Sequence, residues 1–187
     1  MSIEDRSLDA LKEEGTATVI DGSNDKWNRH GDAQHPFRLY SMNQGGLVAG
    51  HYLYIDGNGS LRTDAAKEND ATGFTIHMIE SDGHQIVILE HINTQKVVAI
   101  DTENDTVIAK SLPTEKPLKK LHNSEAINPE WDILFYKIPM SDRTSLFHLK
   151  SYRDDKRMVG FDKTGAPMRT TKVDFKNFAS IFKIDPN

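Results

Sequence analysis

The 187-residue chain contains no cysteine. That excludes disulfide frameworks, zinc–thiolate centres, redox pairs and a cysteine nucleophile. No apolar run is long enough to cross a bilayer, so no membrane insertion is expected. The opening residues Met1-Ser2-Ile3-Glu4-Asp5-Arg6 have neither the basic start nor the apolar stretch of a secretory signal peptide. The expected location is the cytoplasm, or the extracellular space by an unconventional route. The chain also lacks a His-x-x-x-His pair on a helical pattern, a Gly-x-Ser-x-Gly elbow and a phosphate loop. Asp56-Gly57-Asn58-Gly59 begins like a calcium loop, but the twelfth position is Lys67 where a glutamate is needed. No enzyme, metal or cofactor is expected, and the chain is expected to be a monomer.

What is present suits one soluble folded unit: 37% of residues are apolar and 27% charged. A unit of ~150 residues buries roughly 70% of its unfolded surface, which suffices without cross-links. Charge is uneven. Residues 137–187 carry eleven Lys/Arg against six Asp, a net +5, while the remainder carries twelve basic and twenty-two acidic groups. Such asymmetry points to an anionic partner for the C-terminal third. Residues 1–36 read as a disordered tail, with a short amphipathic helix over 3–14 and then a polar stretch. His30, Asp32 and His35 cluster there, as solvated side chains more than as a metal site.

From residue 37 onward, apolar residues alternate with period two in short runs broken by Gly, Asn and Asp, the pattern of strands. Three segments align: His51-Tyr52-Leu53-Tyr54-Ile55-Asp56, Lys96-Val97-Val98-Ala99-Ile100-Asp101 and Arg157-Met158-Val159-Gly160-Phe161-Asp162. Each is an apolar strand ending in Asp, followed by a turn and a short returning strand. A further strand precedes each hairpin and another follows it. From the hairpin Asp to the middle of the following strand is 20 residues in copies one and three, and 34 in copy two. The extra length falls at 112–131, which reads as a surface insertion. One copy cannot bury its own apolar face, so the expected fold is all-β: a β-trefoil of twelve strands in three four-strand repeats, over 37–187.

The strongest functional signal is the run 163–176, where Lys163, Arg169, Lys172 and Lys176 come from a turn and the loop beyond it. Clustered cations of this kind bind sulfated or phosphorylated polymers. Only Phe175 and Phe178 accompany them as aromatics, which disfavours single-stranded nucleic acid, and no specific nucleic acid is expected. Leu39-Tyr40-Ser41-Met42-Asn43-Gln44-Gly45-Gly46, the hairpin run 51–59, Thr94 to Asp101 and Val159 to Gly165 together resemble the fibroblast growth factors. The resemblance extends over residues 37–184. It implies a signalling ligand that bridges a receptor tyrosine kinase ectodomain and heparan sulfate. The heparan sulfate contacts it implies are Asn43, Lys163, Arg169, Lys172 and Lys176, and the receptor contacts are Tyr40 and Phe147. Positions where that family often has further basic residues hold Asp162, Met168 and Phe178. Alternatives are an intracellular trefoil module (fibroblast-growth-factor-homologous or fascin-like) and an interleukin-1-like cytokine. A ricin-type lectin is disfavoured, because no Gln-x-Trp recurs and the only tryptophans are Trp27 and Trp131.

Overall fold

The computed structural model describes residues 27–43, 51–114, 118, 129–141 and 145–186. The helix expected over 3–14 and most of the 112–131 segment lie outside them. Among the described residues there are eleven strands, short 3-10 turns and no α-helix. The strands are β1 (Asn28–His30), β2 (Phe37–Ser41), β3 (Tyr52–Ile55), β4 (Leu61–Ala65), β5 (Phe74–Ser81), β6 (His84–His91), β7 (Val97–Asp101), β8 (Thr106–Lys110), β9 (Phe135–Pro139), β10 (Leu146–Ser151) and β11 (Phe182–Pro186). Six antiparallel strands close a barrel in the order β2–β11–β10–β9–β6–β5, and β5 returns to β2 through the pair Phe37↔Phe74. The hairpin β3–β4 connects β2 to β5, and the hairpin β7–β8 connects β6 towards β9.

Side-chain alternation decides which faces are buried. In β6, Val87 and Leu89 enter the main core with Leu39, Phe135 and Leu149. Ile86 and Ile88 point the other way, into a second cluster with Ile79, Ala99, Ile133 and Tyr152. A strand covered on both faces carries a continuous apolar run, and Ile86-Val87-Ile88-Leu89 is that run. Leu118 and Trp131, from the segment read as a surface insertion, are buried, Leu118 within this second cluster. That segment is thus partly core.

The same local device starts three barrel strands. A 3-10 turn, one linking residue and a fully buried phenylalanine follow one another: Asp70–Thr72 before Phe74, Trp131–Ile133 before Phe135, and Phe178–Ser180 before Phe182. The three turns expected after a hairpin Asp also share their chemistry. Asp56 accepts the N–H groups of Asn58 and Ser60, Asp101 those of Glu103 and Asn104, and Asp162 those of Thr164 and Ala166. Each turn then passes through positive φ, at Gly59, Asp105 and Gly165.

Two strand assignments differ from the sequence reading. The hairpin expected over 157–168 forms no pair of strands: it keeps the single bridge Phe161↔Pro167 with the bonds Asp162 N to the Ala166 carbonyl and Met168 N to the Gly160 carbonyl, both 2.9 Å, while Met158 bridges Lys150 of β10. Phe161 and Pro167 form the non-hydrogen-bonded pair between those two bonds, and the outward Phe161 amide donates to the Ala179 carbonyl at 3.0 Å. Conversely, β1 lies in the segment read as a tail and pairs with β5 through Arg29↔His77. Strand β2 meets β5 only at its first residue, so β1 covers edge that would otherwise remain open.

Replacing one of the three strand-initiating rings should be costly. Phe135→Ala is expected to destabilise the chain by about 3–5 kcal/mol, read as a lower urea midpoint with an unchanged slope.

Candidate functional site

The cations of the sequence reading lie on the turn at 163–165 and the segment after it, and a single carboxylate fixes that segment. Asp105, in the turn between β7 and β8, adopts φ +49°, which Asp tolerates better than most residues. Its Oδ1 accepts from Thr170 Oγ1 (2.5 Å), Arg157 Nη1 (2.9 Å) and Thr171 N (3.1 Å), and its Oδ2 accepts from Thr171 Oγ1. Arg157 also donates to Thr170 Oγ1 at 3.0 Å and to Asp154 Oδ2 at 3.0 Å. Desolvation pushes the Asp105 carboxyl up. The hydrogen bonds from Thr170 and Thr171 and the charge of Arg157 outweigh it and hold the pKa at about 2.

These contacts pin the 3-10 turn Thr170–Lys172, so Arg169 and Lys172 flank a fixed point. Val173 then turns inward against Gly160, where an added Cβ would stand 2.7 Å from Val173 Cγ2. Further on, Asp174 Oδ1 accepts the Lys176 N–H at 2.8 Å, and Asn177 Oδ1 accepts that of Ala179 at 3.0 Å. The outcome is a loop held from inside with its cations outside. Arg169, Lys172 and Lys176 are exposed and form no ion pair among the described residues.

Lys163 is exposed on the preceding turn, which docks against β4. Arg62 Nη2 donates to the Thr164 carbonyl (2.7 Å) and Thr63 N to that of Gly165 (3.0 Å). Asn43, implied as a polyanion contact, is 5% exposed. Its amide donates to Thr63 Oγ1 at 3.2 Å and to the Asp162 carbonyl at 2.7 Å, which engages both of its N–H bonds. It ties the turn bearing Lys163 to the barrel and has no donor left for a ligand.

The two aromatics implied as receptor contacts sit inside. Tyr40 is 6% exposed and meets Tyr52 edge-on at 5.1 Å between ring centroids. Phe147 is 2% exposed in the barrel core beside Phe182, with Lys137 Nζ 4.9 Å over its ring. Neither ring offers contact area to a protein partner. Two other rings do, and sequence reasoning gave them no role at the site: Phe175 is 49% exposed and Phe178 54%. The only sequence signal was their place between cations, since the 3-10 geometry of Phe178–Ser180 is what turns Ala179 and Ser180 inward and Phe178 out.

Two clefts lie elsewhere. One of about 560 Å³ holds Lys110 between Glu130 and Asp132, beside Trp131 and Arg153. The other, of about 500 Å³, is lined by Arg29, Lys96 and the pair His77–Glu90, whose Nε2 and Oε1 are 3.0 Å apart. Among the described residues no group of three or more His, Asp or Glu is placed to hold a metal. No protein-family model matches the chain, and no curated protein matches it.

Asp105 generates a pH prediction. Its folded pKa lies below the ordinary 3.8, so the stability it contributes is complete above that value and is lost as pH falls towards about 2. Asp105→Asn should lower stability near neutral pH by roughly 1–2 kcal/mol. It should also flatten the acid limb of the stability curve, measured by urea unfolding at successive pH values.

Proposed function

We propose that the chain is a β-trefoil and acts as a fibroblast-growth-factor-like ligand, outside the cell and as a monomer. In this reading its third unit binds heparan sulfate, and its protein partner is a receptor tyrosine kinase ectodomain. The fold reading is supported by what recurs three times: the Asp-capped turn, the 3-10 turn and the buried phenylalanine that opens a barrel strand. The functional reading is carried by one observation. Arg169, Lys172 and Lys176 stand exposed, without ion-pair partners among the described residues, on a segment pinned by Asp105. A sulfate placed there gains charge-assisted hydrogen bonds without displacing an existing pair, and the segment is ordered before binding. Lys163 extends the surface, and Asn43 supports it from beneath.

The burial of Tyr40 and Phe147 favours a second reading. With both rings inside, a trefoil interaction module of the intracellular kind needs no receptor surface. Binding to a panel of receptor ectodomains, with and without heparin, separates the two: the ligand reading expects at least one heparin-dependent complex, and its absence across the panel leaves the module.

The polyanion site has its own test. The chain is expected to stay on heparin resin at about 0.15 M salt. Lys163→Ala/Arg169→Ala/Lys172→Ala should elute well before it, with an unchanged melting temperature. Passage of the unmodified chain straight through the resin defeats the reading.

A further inference from the structure

The three 3-10 turns that open barrel strands begin with different residues. Trp131 is 4% exposed, covered edge-on by Tyr152 at 6.0 Å and by the Arg153 guanidinium at 5.8 Å. Asp70, at the matching place, is exposed and polar. Phe178 has the apolar bulk of the first and the exposure of the second, with no ring partner among the described residues. Phe175, three residues earlier, packs one edge on His148 at 4.9 Å and leaves about half of its surface in water. Lys176 lies between them in sequence, with Arg169 and Lys172 upstream. Two half-exposed rings among cations keep an apolar area in water that any partner with an apolar layer would remove. A sulfated polysaccharide engages the cations and leaves the rings uncovered. The interface of an anionic bilayer engages both, with phosphate and carboxylate headgroups outside and acyl chains a few ångströms beneath.

We propose that the segment 169–178 docks reversibly on anionic membrane surfaces. Phe175 and Phe178 enter the headgroup region, and Arg169, Lys172 and Lys176 pair with lipid phosphates and carboxylates. The contact is shallow, since the two rings that enter are half-exposed side chains on one loop. The proposal uses the cations invoked for heparan sulfate but does not depend on that polymer, because the rings carry it.

Cosedimentation of the full chain with phosphatidylcholine vesicles, with and without phosphatidylserine, tests it. Binding is expected only with phosphatidylserine and should fall as salt rises. Phe175→Ser/Phe178→Ser should bind those vesicles roughly tenfold more weakly yet elute from heparin at the wild-type salt concentration. Because Phe175 covers His148, Phe178→Ser alone is the variant that leaves every ring contact in place, and it should show part of the same loss. Phe178→Trp should add a vesicle-dependent blue shift to the emission of Trp27 and Trp131. No binding to phosphatidylserine vesicles overturns the proposal, as does wild-type binding by the double variant. Loss of heparin retention together with vesicle binding in Phe178→Ser assigns the rings to the polysaccharide face and overturns it too. Failure of heparin retention in the unmodified chain, with ring-dependent vesicle binding intact, ends the heparan sulfate reading and leaves this one standing.

Discussion

Pairing of β2 with β11 is the constraint on which everything else in this chain rests. Register pairs from Phe182↔Ser41 to Pro186↔Phe37 join the first barrel strand to the last. Without them both strands would be open edges, and the barrel core would face water along a seam. Joining positions so far apart carries a loop-closure cost that grows only slowly with length, about 0.6 kcal/mol per doubling, so the long connection is affordable at equilibrium. The kinetic consequence is larger, since the closing contacts are the least local in the chain. Closure also places what lies beyond the strand ends. Met42 N donates to the Ile181 carbonyl at 2.9 Å, and Asn43 thereby reaches the turn at Asp162.

Once the barrel is closed, turns dock on neighbouring segments. The third turn docks on Thr63, Arg62 and Asn43. The second docks through Asp105 on Arg157, Thr170 and Thr171. Beside the first turn stands the Lys96 amine, 3.5 Å from where a side chain at Gly59 would begin. At Gly165 the approach is closer still, since a Cβ there would meet Asp64 at 2.9 Å, and φ is +86°. The turns at 101–106 and 162–166 thus tie neighbouring segments together through polar contacts around the main apolar core. The cationic segment is held by the neighbouring hairpin, so its order depends on a turn more than sixty residues away in sequence.

Much of this was legible because period-two alternation and a recurrent turn residue are local signals. The Asp-capped turns and the barrel strands follow directly from residue type and spacing. What was not legible depends on context. Asn28-Arg29-His30 has no apolar pattern, and β1 exists only because β5 offers a free edge. The hairpin expected over 157–168 keeps its turn and two cross-hairpin bonds but is too short to form strands, a length that the alternation of apolar residues does not encode. Resemblance carries a residue's position but not its exposure. Tyr40, Asn43 and Phe147 were implied as contacts by position alone, yet they are held inside by neighbours that no motif records.

The electrostatics of the C-terminal segment follow from where its carboxylates point. Asp162 is the nearest acid to Lys163 in sequence. Burial raises its carboxyl, but hydrogen bonds from Thr164 and the Ala166 amide prevail and hold it below the ordinary carboxylate value. Asp174 accepts the amide of Lys176. Asp105 faces Arg157 and two threonines. Asp105 and Asp162 are held in the charged form, and the oxygens of all three acids accept from backbone, hydroxyl or Arg157 donors, while the exposed ammonium and guanidinium groups of the segment extend outward. With a screening length of about 8 Å at physiological salt, an approaching anion senses mostly the groups nearest to it. Those are Lys163, Arg169, Lys172 and Lys176. The acidity of the chain as a whole, a net −5, therefore does not argue against an anionic partner at this face. The hydrogen bonds of the acids build the loop, and the exposed bases give it its sign.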